Sequence, residues 1–243
     1  MLSFASVAEA RPVVAVIDSG VAMTEELQPY LRGEFDMAAP RARAAFQPRY
    51  DHGTMVATIL TRAARGQVDI VSFRIDDPAG CPIRLNPPCQ SSAAPIARAI
   101  RKAVELGVDG INISLALKDD PEITAAVREA TRHGILVVMA AGNAGRGVPD
   151  NLDMAIAGFP FATLVGALDA SGQPWTRTNR PEEHPSGRYS YVWRRGVNVP
   201  SSIANGSPAW GTGTSFAAPI EAGLLFYRAN VEVDAVEPMT ASW

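Results

Sequence analysis

Residues 12–20, PVVAVIDSG, form a continuous apolar, β-branched run that ends at Asp-Ser-Gly. A strand with one wet face would alternate apolar and polar positions, so this run predicts a strand buried on both faces. The same pattern returns in VDIVSFRI (68–75), GINISLAL (110–117), GILVVMAAG (134–142) and ATLVGAL (162–168). Between these runs the apolar positions recur at helical spacing, in GTMVATILTRAAR (53–65), AAPIARAIRKAVELG (93–107) and PEITAAVREATRHG (121–134). Strands alternating with helices predict right-handed βαβ units. The fold class is therefore α/β, with a mostly parallel central sheet covered by helices on both faces.

The pattern changes at 169–210, where turn residues and scattered aromatics predict irregular connections with short strands. A last helix is expected from about Ser215 through FAAPIEAGLLFYRAN, with Pro219 within about its first turn, where a missing N–H matters little. Residues 231–243, VEVDAVEPMTASW, read as a short strand and then a loose tail, and residues 1–11 as an N-terminal extension. No linker or repeat divides the chain, so 1–243 is read as one domain.

Composition narrows the function classes. With 243 residues and 47% hydrophobic content the chain can bury a sizeable core. The net charge of −3 gives no electrostatic case for nucleic acid or an anionic membrane, which leaves a peptide or small molecule as the expected partner. No run approaches the ~18 apolar residues of a membrane span. MLSFASVAEAR lacks the basic start and long apolar centre of a secretory signal, so the expected location is cytoplasmic, with a mature piece of a longer precursor as the alternative. Cys81 and Cys89, in DDPAGCPIRLNPPCQSS, do not have zinc-site spacing; one loop disulfide and two free thiols are equally open.

In an open α/β sheet, functional groups gather where strands end and helices begin. Asp18 ends the first strand, His52 opens the helix 53–65, Asn143 follows ILVVMAAG, and Ser215 opens the last helix. Taken singly these are a turn, a helix-start cap, a left-handed turn and an N-cap. Taken together, in the order Asp, His, Ser, they match nucleophilic catalysis. A serine hydroxyl needs a base, the base needs a group to fix its tautomer, and the oxyanion that forms needs preorganised donors. Asp51, beside His52, is set aside as the orienting group because adjacent side chains diverge. His133 and His184 read as structural or solvent-exposed.

VVAVIDSGV around Asp18, DHGTMVA around His52, AAGN at Asn143 and GTSFAAP around Ser215 resemble the signatures of the subtilisin-like serine peptidases, and LVGALDASGQPWTRTN (164–179) resembles that family's intervening segment. The resemblance runs from about Pro12 to Tyr227. It implies Ser215 as nucleophile, His52 as base and acid, Asp18 as orienter, and Asn143 with the Ser215 N–H as the oxyanion hole. It also implies substrate contacts at Ser114, Leu115, Ala116, Leu117, Ala140, Ala141 and Gly142, a peptide or protein substrate, and no cofactor.

The chain departs from that family in several places. Ala116 and Leu117 stand where many members have Gly-Gly, and are expected to narrow the pocket or alter pairing with substrate. TRAARGQ is too short for the calcium-binding insertion of many secreted members, so no metal site is expected there. The loop 76–92, with both cysteines, is expected to border the cleft. These features together fit an endopeptidase, in an intracellular or processing role. A catalytically silent binding relative and a peptide ligase or cyclase using the same acyl-enzyme are the rivals.

Overall fold

The computed structural model describes residues 10–82, 88–90, 92–117 and 119–234, with 228–234 described by backbone alone. Most of the extension 1–11, and the tail beyond Asp234, lie outside the described residues.

Seven strands form one parallel sheet: β1 (Val13–Asp18), β2 (Leu31–Asp36), β3 (Asp69–Arg74), β4 (Gly110–Ile113), β5 (Leu136–Ala140), β6 (Ala162–Leu168) and β7 (Ser190–Arg195). Their spatial order is β2-β3-β1-β4-β5-β6-β7. β1 pairs with β3 on one side and β4 on the other, so the strand order reverses there. Its carboxyl end, Asp18, thus stands at the switch point of the sheet, where α/β folds open a crevice. A small antiparallel hairpin, β8 (Val199–Ser202) with β9 (Pro208–Gly211), lies apart.

Alternation along the buried strands sends successive side chains to opposite layers. Ala15 and Ile17 of β1 join one core with Ile100, Ile123 and Met154, from α2 (Ala94–Glu105), α3 (Pro121–Arg132) and α4 (Leu152–Ala157). Val14 and Val16 join the other core, with Leu60 of α1 (His52–Ala63) and Ala222 and Phe226 of α5 (Thr214–Asp234). α3 begins where Asp120 accepts hydrogen bonds from the N–H groups of Glu122 and Ile123 with Pro121 at its start, a cap that contributes about 1 kcal/mol.

Several expectations need correction. The run 110–117 is strand only through Ile113, after which β4 and β5 separate. β2 (LRGEFD) and β7 (SYVWRR) are full members of the sheet although neither shows a continuous apolar run; both are edge strands, with partly exposed positions that accept Arg32 and Glu34 in β2 and Arg194 and Arg195 in β7. α4 was not anticipated. Residues 231–234 extend α5 and do not form a strand: once a helix is nucleated, each added residue gains a hydrogen bond, which overrides the period-two pattern of VEVD. Because α5 starts at Thr214, Pro219 lies in its second turn and leaves the Ser215 carbonyl without an i+4 donor.

Two polar clusters fix the segment between β2 and α1. Arg43 donates to Asp36 (Nε to Oδ2, 2.7 Å) and to Asp76 (Nη1 to Oδ2, 2.9 Å), and Arg74 donates to Asp76 (3.0 Å). Glu34 accepts from the Val21 N–H (3.0 Å), the Ser72 hydroxyl (2.8 Å) and the Phe46 N–H (3.0 Å). The turn after Asp18 and the approach to His52 are thereby tied to the same edge of the sheet.

Candidate active site

Asp18 is fully buried and its carboxylate faces the imidazole of His52, with Nδ1 2.8 Å from Oδ1 and 2.9 Å from Oδ2. Two features bring the strand end and helix start together. The N–H of Ser19 donates to Asp18 Oδ1 (2.7 Å), and the Ser19 hydroxyl accepts from the N–H of Gly53 (3.1 Å), capping α1 from the β1 side. Gly53 allows the approach, since a Cβ there would run into the carbonyl of Gly20 and stand 3.2 Å from Cβ of Asp18. Asp51 is turned away and accepts from the N–H of Ala204 (2.9 Å).

Burial of the His52 ring disfavours its cation, but the charge of Asp18 and its hydrogen bond together outweigh that, so His52 is held above the ordinary value of 6.5. With Nδ1 directed at Asp18, Nε2 is the nitrogen available to the cleft.

Asn143 is oriented by α5. Its Oδ1 accepts from the Thr214 N–H (2.8 Å) and the Thr214 hydroxyl (3.0 Å), so its NH₂ group is left for the cleft. The Thr214 hydroxyl also accepts from the N–H of Gly142 (3.0 Å). Asn179 shapes the turn beyond, accepting at 3.0 Å from the N–H groups of both Ala144 and Arg146. Gly213, at φ +145°, reaches a conformation closed to ordinary side chains; a Cβ on it would lie 3.1 Å from Asn143 Nδ2 and 3.4 Å from Ser215 Oγ. The amide and the hydroxyl therefore flank one small space at the positive end of α5, whose first N–H groups have no intrahelical partner.

A cleft of about 460 Å³ is lined by His52, Ser114, Leu115, Ala116, Ala140, Asn143 and Ser215, with Pro88 and Gln90 on its rim. His52, Asn143 and Ser215 thus open onto one cavity, and the ring of His52 tilts against Phe216 at 5.4 Å. Asp18 backs His52 from inside. Leu117 does not narrow the cleft: its side chain is buried in the core and borders an adjoining cavity of about 310 Å³. Ala141 and Gly142 also stay outside, because their backbone groups are engaged inward with Val165, Asp150, Thr214 and Asn179. The residues missed from sequence were Thr214 and Asn179. Thr214 lay in plain view beside Ser215, whereas Asn179 acts from a loop distant in sequence.

Cys81 and Cys89 are joined in a disulfide (Cα–Cα 5.3 Å), which resolves the two readings left open by the sequence. Because Pro88 and Gln90 reach the cleft, the bridged loop borders it as expected. Among the described residues no group of three His, Cys, Asp or Glu side chains is arranged to hold a metal ion. No helix among them is long and apolar enough to cross a membrane.

The family model of the Subtilase family matches residues 9–230. Subtilisin-like protease 10 of Arthroderma benhamiae is 30% identical over 227 residues, covering 90% of this chain and 40% of the relative. The major intracellular serine protease of Bacillus subtilis is 33% identical over 144 residues, 58% of this chain and 43% of the relative. The chain thus spans about two-fifths of the length of these curated relatives. Among solved structures, the prenylagaramide maturation protease PagA superposes with a TM-score of 0.71 at 21% identity, over 92% of this chain and 76% of the other. A cold adapted subtilisin-like serine proteinase gives a TM-score of 0.71 at 21% identity, over 90% and 76%. These superpositions speak for the α/β fold.

Proposed function

The chain belongs to the subtilase family, and on that premise we propose that it is a serine endopeptidase that cleaves peptide bonds through an acyl-enzyme on Ser215. The observation that carries this reading is the contact of both Asp18 oxygens with Nδ1 of His52, in a cleft that His52 shares with Ser215 and Asn143.

In this reading Ser215 Oγ attacks the substrate carbonyl carbon while His52 Nε2 takes the hydroxyl proton. Asp18 stabilises the imidazolium and keeps its ring in place. The π electrons move onto the carbonyl oxygen, which accepts from the Asn143 NH₂ and the Ser215 N–H. Collapse of the tetrahedral intermediate breaks the C–N bond, and the departing amine takes the proton from His52. Water, deprotonated by His52, then releases the acid and restores the serine.

The substrate chain is proposed to run along Ser114–Ala116 on one side and Ala140 on the other, where the cleft is lined by small side chains and backbone. The Cys81–Cys89 bridge weighs toward an oxidising compartment as the site of action. Mass-spectrometric cleavage profiling of a peptide library tests the function. Products with new carboxyl termini are expected from the wild type and none from Ser215→Ala. Unchanged cleavage by that variant would refute the reading, and transfer of the acyl group to added amines in preference to water would favour a ligase.

A further inference from the structure

β4 and β5 pair in parallel only as far as Ile113↔Met139; beyond that register no ladder joins 114–117 to 140–143. The gap between the two segments is the cleft. Bridging the two segments is Asn151, 1% exposed and outside both in sequence. Its Nδ2 donates to the carbonyls of Leu115 (2.8 Å) and Ala140 (2.9 Å), and its Oδ1 accepts from the N–H of Leu117 (2.9 Å). Both N–H donors and one acceptor site are spent on the two walls, which fixes the orientation of the amide. Asn151 stands at the N-cap of α4 yet makes no side-chain cap bond, and its backbone is left-handed (φ 64°, ψ 16°). Neither the cap position nor the helix accounts for its side chain; the two walls do.

We infer that Asn151 is a positioning residue that sets the separation and register of the two cleft walls and thereby selects the substrate side chain that enters between them. This rests on the endopeptidase reading. Where the ladder stops, one amide takes its place, bonding a carbonyl on each wall and closing the third contact on Leu117. That last bond also removes the Leu117 N–H from pairing with an extended substrate. Without the amide, two buried carbonyls lose their donor, and each lost partner favours a shift toward water. A small change in wall spacing alters discrimination between side chains, since one methylene in such a pocket changes kcat/KM by about 10–200-fold.

The test compares wild type with Asn151→Gly, which suits φ 64° and removes only the side chain. Three probes are used: a small alkyl fluorophosphonate and two peptidyl phosphonates that differ only in Ala or Phe at the position before phosphorus. Expected is a change of about tenfold or more in the Phe/Ala labelling ratio, with alkyl fluorophosphonate labelling within about twofold of wild type. An unchanged ratio, with all three rates falling in parallel and a lowered Tm, would overturn the inference and leave Asn151 a structural residue. If Asn151→Gly does not fold, Asn151→Asp serves. It keeps the acceptor for Leu117, sets an oxygen against two carbonyls, and must shift the same ratio. Wild type that no probe labels would instead refute the endopeptidase reading, and the inference with it.

Discussion

Both carboxylate oxygens of Asp18 stand within 2.9 Å of Nδ1 of His52, which holds the imidazole above its ordinary pKa although burial acts in the opposite direction. The base must be neutral to accept a proton, so kcat/KM is expected to rise with pH through a midpoint above 6.5. Asp18→Asn should lower that midpoint and reduce kcat by about 10⁴, as in other triads deprived of the carboxylate. For stability the sign is opposite. The raised pKa contributes stability that is fully present below 6.5 and is lost as pH rises through the folded-state value. Urea midpoints of wild type and His52→Gln across that window check this.

Asn143 turns its NH₂ group toward the cleft because Thr214 holds its oxygen. Asn143→Ala is expected to lower kcat by about 10²–10³, the magnitude known for one oxyanion donor in subtilisin itself, with KM little changed. Thr214→Val retains the backbone donor and removes the hydroxyl's bonds to Asn143 and to the Gly142 N–H, so a smaller loss of about tenfold is expected, on the order of the 0.5–1.5 kcal/mol that the one bond to Asn143 contributes to orienting its amide. Steady-state kinetics on one peptide separate the two.

Gly53→Ala places a methyl group against the Gly20 carbonyl and Asp18. Overpacking of this kind costs about 1–3 kcal/mol, and here it also forces α1 and His52 away from Asp18. Thermal unfolding and activity should both fall. Full activity with an unchanged Tm would mean that the close approach is not required.

Arg43 is clamped between Asp36 and Asp76. Burial alone would raise the pKa of Asp36, but the side chain and backbone of Arg43, with the N–H groups of Ala39 and Ala38, hold it well below the ordinary carboxylate range. Arg43→Met leaves the buried carboxylate of Asp36 without its counter-ion, while Asp76 keeps Arg74, and should destabilise by about 3–5 kcal/mol at neutral pH. Because the depressed pKa contributes stability above the unfolded value of 3.8, the gap to wild type should narrow as pH falls below it. Urea denaturation at several pH values measures this.

The Cys81–Cys89 bridge closes the loop whose residues Pro88 and Gln90 rim the cleft. Replacing both cysteines with serine is expected to raise KM for long peptides while leaving turnover of a small ester unchanged. An equal loss on both substrates would place the effect on the catalytic groups instead.

The buried strands were legible in the sequence because strands covered on both faces must be continuously apolar, and the candidate site was legible because its residues sit at strand ends and helix starts. Asp18 ends β1 and Asn143 follows β5, while His52 and Ser215 open α1 and α5. β2 and β7 were not legible, because edge strands tolerate Arg32, Glu34, Arg194 and Arg195 at positions a central strand would fill with apolar residues. Asn151 was invisible for another reason. Its three bonds reach segments more than ten residues away along the chain, and no local pattern announces a side chain that replaces a missing ladder.

The central claim is that Ser215 is the nucleophile, activated by His52. Intact-mass and peptide mapping after exposure to a fluorophosphonate tests it most directly, because the serine oxygen displaces fluoride and retains the phosphonyl group. A single adduct on Ser215 is expected, absent in Ser215→Ala and strongly slowed in His52→Ala. An adduct on another residue, or undiminished labelling of Ser215→Ala, would contradict the account.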